Sequence, residues 1–263
     1  LDALTGEPLH YELVTLVAVT VLFGAMLASA FIGHRQGRHR LRPGDSAERG
    51  TAVVEAALFA LLGLLIAFTF ANAHSRFNMR RDFVAQEANA IGTAYLRIDL
   101  LPVEAQAPLR KKFGQYVDSR LAFWRKLKDA DEARKELDRS AKIQGEIWAD
   151  AVRAGKGNNT AQMLLLPALN EMIDITTLRL NAILAHPPPL VFFMLFVLAA
   201  VCAWLIGYAM GVAQSPNWLH IVGYAAMVTL TVYVILDIEY PRYGLIRLDV
   251  AQDLLLDVRK NIP

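Results

Sequence analysis

Four stretches of this chain are apolar on every face rather than on one. They cover residues 13–33, 56–73, 189–213 and 218–238. Each is close to the roughly 20 residues a helix needs to cross a hydrocarbon core, and none carries the polar stripe of a helix lying on a soluble core. Four such helices have no protein surface to hide under, so the pattern predicts four membrane spans. Asp2, Glu7 and Glu12 precede the first run and no Lys or Arg does. That is unlike a cleaved signal peptide, which opens on a basic segment.

Between the second and third runs the pattern becomes one-sided. Leu109, Phe113, Tyr116, Val117, Leu121, Trp124 and Leu127 fall at helical spacing, and so do Ile143, Ile147, Ala151 and Val152. Asp131–Lys135 and Asp138–Lys142 are expected i,i+4 ion pairs in the favourable order. "GKGNN" at 155–159 reads as a loop. A further helix follows, kinked or begun at Pro167 and closed by Pro187–Pro189. After the last run, 250–260 reads as a short amphipathic helix packing on the domain or on a neighbour.

The junction at 67–83, "AFTFANAHSRFNMRRDF", turns from apolar to charged with no Pro, Gly or turn cluster between. Phe70, Phe77, Val84, Ile91 and Ile98 are seven residues apart, and Ala88 and Tyr95 lie on the adjoining track. This is a heptad-like seam across the membrane boundary. It predicts one continuous helix from near Thr51 to near Leu101, ended by Pro102. Such a helix is roughly 75 Å long at ~1.5 Å per residue, and only ~30 Å of it fits in hydrocarbon.

Composition supports this picture. The chain has 263 residues, 55% of them hydrophobic, and a mean hydropathy of +0.32, which is high for a soluble protein. A net charge of +2 with mixed signs gives no reason to expect nucleic acid. The single cysteine, Cys202, excludes an intrachain disulfide and a thiolate metal cluster. The histidines His10, His34, His39, His74, His186 and His220 have no metal-ligand spacing, and no phosphate loop or nucleophile elbow is present. We therefore expect no enzyme, no metal and no cofactor. Abundant arginine and alanine suggest a GC-rich bacterial source. The short segment 34–50 holds Arg35, Arg38, Arg40, Arg42 and Arg49. The positive-inside rule puts it in the cytoplasm and both termini, with the domain at 76–186, outside.

"LLGLLIAFTFANAHSRFNMRRDFVAQEANAIGTAYLRIDLLP" (61–102) resembles the signature of bacterial and plant membrane proteins with a bestrophin-like domain, a family of unknown function. "LDIEYPRYGLIRLD" (236–249) is similar to the element that follows that family's last span. The flank of the first span, "GHRQGRHRLR", is longer and richer in His and Arg than the family pattern. The resemblance implies kinship to bestrophins, which are oligomeric anion channels, pentameric in known members, with an aromatic neck on the second membrane helix. Such a transfer rests on fold-level analogy.

The expected architecture is all-α: a four-span integral membrane protein with a helical extramembrane domain and a long continuous second helix. Its segments are 1–75 (spans 1 and 2 with the basic loop 34–50), 76–186 (the domain), 187–238 (spans 3 and 4) and 239–263 (a tail packing on the domain). By analogy with the bestrophin neck, Phe68, Phe70 and Phe77 are pore or gate candidates, joined by the polar Asn72 and His74. Plain packing, or an interfacial position for the polar pair, is the competing reading. Arg76, Arg80 and Arg81 would attract anions at a pore mouth, or else anchor headgroups and pair with Asp82 and Glu87. Asp237, Pro241, Arg242, Gly244 and Arg247 form a candidate structural clamp, with Asp237 paired to Arg242 or to an arginine at the exit of span 2. Gly24, Ala28, Ala30 and Gly33 suit close helix contact and a homo-oligomer. The expected partners are a lipid bilayer, further copies of the chain and a small inorganic ion, in a bacterial plasma membrane. The function expected is an anion-conducting channel. The alternative is a non-conducting scaffold or sensor whose domain binds a partner or ligand.

Overall fold

The computed structural model of the chain describes residues 8–39, 47–127, 129–214, 217–240 and 249–262. Among these there are eight α-helices and no strand: α1 Pro8–His39, α2 Ala47–Leu96, α3 Val103–Arg125, α4 Ala130–Ala154, α5 Asn159–Leu184, α6 Pro189–Val212, α7 Trp218–Glu239 and α8 Asp249–Lys260. Segments of α1, α2, α6 and α7 are long and apolar enough to cross a membrane. The first span outruns its expected end at Gly33, because nothing breaks the helix before His39. Part of the expected loop 34–50 is therefore helical, and Arg40 and Arg42 lie outside the described residues.

The chain divides into two compact units. One comprises the described parts of Tyr11–Ser75 and His186–Leu245, the other the described parts of Leu1–His10, Arg76–Ala185 and Ile246–Pro263. Helix α2 is unbroken across the division. It ends in a 3-10 turn, Arg97–Leu100, after which Leu101 is extended and Pro102 caps α3. Proline restricts the residue before it to extended backbone, which is why the helix stops there.

In the membrane unit, Leu22, Met26 and Ala30 of α1, Leu62 of α2, Leu195, Ala199 and Cys202 of α6, and Ile221, Ala225 and Val232 of α7 form one core. Helices α1 and α6 run parallel in backbone contact. Gly33 and Gly37 lie against the carbonyls of Trp204 and Tyr208, while Gly207 and Gly211 lie against those of Ala30 and His34. Lipid supplies no hydrophobic drive between helices, so such small-residue contacts are what bring them together. Of the stripe expected to join copies, Ala30 and Gly33 are thus used within the chain, whereas a Cβ added at Gly24 would meet no other part of the chain within 4 Å. Trp218 packs edge-on to His34, with ring centroids 5.4 Å apart.

In the second unit, Ile91, Ile98, Phe113, Tyr116, Val117, Ile147, Leu165, Leu169 and Met172 make the core, and Leu255 of α8 is buried with them. Asp129 and Asn158 cap α4 and α5 by accepting from the amides of Glu132 and Ala161. Pro167 sits inside α5 without ending it. Arg259 of α8 grips Asp118 of α3 at 2.7 and 3.1 Å. Lys135 bonds Glu132 at 2.8 Å rather than the expected Asp131, so the i,i+3 partner is preferred at this helix start.

Candidate functional site

Helix α2 turns about 100° per residue, which sorts its membrane-spanning part into three faces. Leu62, Thr69 and Ala73 are buried, Leu62 within the core shared with the other spans. Thr69 satisfies its hydroxyl on the Leu65 carbonyl at 2.7 Å, so this polar residue demands no wet neighbour. A second face carries large exposed side chains, Val54, Leu61, Leu64 and Phe68, followed by the exposed Asn72 and Ser75. A third carries mainly small exposed residues, Ala56, Ala60, Gly63 and Ala67, beside the half-buried Phe59, and then the exposed Phe70 and His74. The Phe70 and His74 rings are stacked, 6.4 Å between centroids and 4° from parallel. Phe77, half-buried, and Arg81, exposed, continue the third face along the helix. The five gate candidates therefore do not share a face. Phe68 and Asn72 lie about 160° around the helix from Phe70 and His74.

The expected seam holds at Val84, Ile91 and Ile98, which are buried, but not at Phe70, which is 40% exposed. A strict seven-residue repeat drifts about 20° per heptad on a straight α-helix. Over the four heptads from Ile98 back to Phe70 it drifts about 80°, and Thr69 and Ala73 take the inner positions instead.

The three arginines beyond the span differ in role. Arg80 is buried and donates to the carbonyls of Ala182 and Ala185 at 2.9 and 3.0 Å. It caps the carbonyl end of α5, a favourable place for a cation. Arg76 is half-buried, and Arg81 is exposed. Glu87, expected as their partner, is engaged elsewhere. At the end of α7 the buried Glu239 meets His186 at 3.3 Å, and His186 stacks on Tyr240 with centroids 4.6 Å apart. This ties α7 to the start of α6. Asp237 is also buried; Pro241, Arg242, Gly244 and Arg247 lie outside the described residues.

The second unit contains a buried charge cluster that the sequence reading did not find. Glu87 of α2 accepts from Arg120 Nε of α3 at 2.5 Å and from Arg179 Nη1 of α5. The three residues are 0, 1 and 3% exposed. Burial alone would raise the Glu87 carboxyl pKa, and the two guanidiniums more than reverse this, holding it below its ordinary value of 4.5. The Arg179 guanidinium lies 3.7 Å from the centroid of the Trp124 ring. Tyr116 is buried nearby and accepts from Gln144 Nε2 at 3.1 Å. Burial pushes its hydroxyl well above the usual phenol range. A sequence signal existed: Glu87 is three residues after Val84, Arg120 four after Tyr116 and Arg179 four after Ile175. Each charge occupies a position on an apolar face. On another part of this unit, Gln86, Pro167, Asn170, Glu171, Asp174, Ile175 and Leu178 line an open groove of about 370 Å³. No group of three metal-ligating side chains occurs among the described residues.

These features define the class, an all-α multi-pass membrane protein whose second span continues as a helix of its extramembrane domain. A family model for the bestrophin-like domain matches residues 30–252. The chain belongs to that bestrophin-like family. No curated protein and no solved structure matches it.

Proposed function

We propose that the chain is one subunit of an oligomeric anion channel in a bacterial plasma membrane, with the Ala56–Ala60–Gly63–Ala67–Phe70–His74 face of α2 toward the shared axis. The observation that carries this reading is the division of the exposed surface of α2. Val54, Leu61, Leu64 and Phe68 on one side suit lipid, which is best met by large aliphatic and aromatic side chains. The other side offers lipid almost nothing, and small residues of this kind suit close approach of neighbouring helices. Phe70 is the constriction in this reading, His74 its polar neighbour, and Arg81 the cation that enriches anions at the mouth. Arg80 is assigned no part, since the carbonyls at the end of α5 hold it. The family's likeness to bestrophins supports anion conduction and a five-fold assembly. The basic residues Arg35 and Arg38 support a cytoplasmic end of α1 and an extracytoplasmic domain.

The test is flux through purified protein in liposomes. Chloride flux that rises in Phe70→Ala and is unchanged in Phe68→Ala supports the reading. Absence of anion flux in the wild type and in both variants overturns it. The second reading, a non-conducting sensor, is favoured by the groove beside Gln86 and Asp174, which offers two carboxylates and two amides to a cationic ligand. It predicts no flux, together with a ligand response that Asp174→Asn weakens.

A further inference from the structure

The charges of the buried cluster do not balance. Glu87 carries one negative charge, while Arg120 and Arg179 carry two positive ones, and none of the three reaches solvent. Tyr116 contributes nothing to the balance, because burial keeps it a neutral phenol. Glu136, on α4, is a further buried acid packed beside α3. Its carboxylate is held by Lys126 at 3.0 Å and Arg139 at 3.8 Å, and it reaches Ser119 Oγ at 3.3 Å.

The hydrogen bonds are unbalanced in the same direction. Arg120 Nη1 is buried and has no acceptor among the described residues. The Tyr116 hydroxyl accepts from Gln144, and among the described residues no acceptor takes its proton. Tyr116 and Arg120 are one turn apart on α3, so both donors lie on the same face of that helix. A buried excess charge with unused donors is costly to a fold. A water molecule would satisfy the donors and leave the charge. A small anion would satisfy both.

We propose that the Glu87–Arg120–Arg179 cluster is a binding site for one monovalent inorganic anion of halide size, held at Arg120 Nη1 with the Tyr116 hydroxyl as second donor. The site lies in the extramembrane domain and does not depend on conduction, since a chain that never conducts would still bind there.

The experiment uses the full chain in detergent, with gluconate replaced by bromide at constant ionic strength. Two readouts are needed: the unfolding temperature, and anomalous bromide density in crystals of the same protein. The expected result is a saturable rise of a few degrees in Tm with a bromide peak in contact with Arg120 Nη1. Glu87→Gln removes the competing negative charge, so its apparent Kd for bromide should fall by about tenfold, even though the variant is less stable without halide. Arg120→Gln should lose the halide response. A wild-type Tm that is the same in bromide and gluconate overturns the proposal. So does density for water only at Arg120 Nη1, or a peak that binds there without any change in Tm. If Arg120→Gln does not fold, the wild-type readouts and Glu87→Gln still decide.

Discussion

Glu87 on α2 and Arg120 on α3 are joined at 2.5 Å in a core where neither side chain reaches solvent. Such a pair contributes little relative to a well-packed apolar core, but removing one member leaves a buried charge without its partner. Glu87→Ala should therefore destabilise the extramembrane domain by about 3–5 kcal/mol, measured by chemical unfolding of the detergent-solubilised protein. Because Arg179 shares the same carboxylate, the effects of Glu87→Ala and Arg179→Ala should be far from additive.

The same carboxylate sets an acid limit. Its folded pKa lies below the ordinary 4.5, so between those values the unfolded chain binds the proton and the folded one does not. The stability Glu87 contributes is fully present above 4.5 and is lost as the pH falls through the folded value. The near-UV signal of the domain should hold from neutral pH down to that range and fall below it. In Glu87→Gln the part of the acid limb due to this group should be absent.

The α1–α6 contact separates two kinds of glycine. A Cβ at Gly207 would collide with the backbone of Ala30, whereas one at Gly24 would meet nothing within 4 Å. Gly207→Ala should lower the unfolding temperature markedly, at a cost on the order of 1–3 kcal/mol for overpacking. Gly24→Ala should be neutral or stabilising by about 0.5 kcal/mol. Loss of stability in Gly24→Ala, with none in Gly207→Ala, would contradict the packing described.

Helix α8 is held by the buried Leu255 and by the Arg259–Asp118 pair, whose side chains are 33 and 51% exposed. The exposed pair is worth about 1 kcal/mol or less, so the burial dominates. Leu255→Asp should release α8 to limited proteolysis, and Arg259→Ala should do so only weakly.

Much of this architecture was legible because its signals are local. The four apolar runs mark the spans, and the absence of a breaker at 67–83 marks the continuity of α2. The stripe Leu109–Phe113–Tyr116–Val117 marks the inner side of α3. The azimuth of Phe70 was not legible from a seven-residue repeat, because the drift of a straight helix accumulates over four heptads. Arg120 and Arg179 were not singled out, and Glu87 was paired instead with the arginines at 76–81, because a charge on an apolar face looks like a solvated residue until its partners, on three different helices, are known. The use of Gly33 inside the chain was hidden for a related reason. A small residue announces close approach but not the identity of the helix that approaches.

In the proposed channel, the side of α2 that meets the shared axis is tested most directly by cysteine accessibility. Cys202 is buried in the native chain and can be replaced by Ser to give a silent background. Single cysteines at Phe68, Phe70, Asn72 and His74 are then treated with a charged methanethiosulfonate reagent while current is recorded from reconstituted protein. Modification at Phe70 and His74 should change the anion current, and modification at Phe68 and Asn72 should not. Sensitivity at Phe68 and Asn72, with Phe70 and His74 silent, would contradict this orientation of α2.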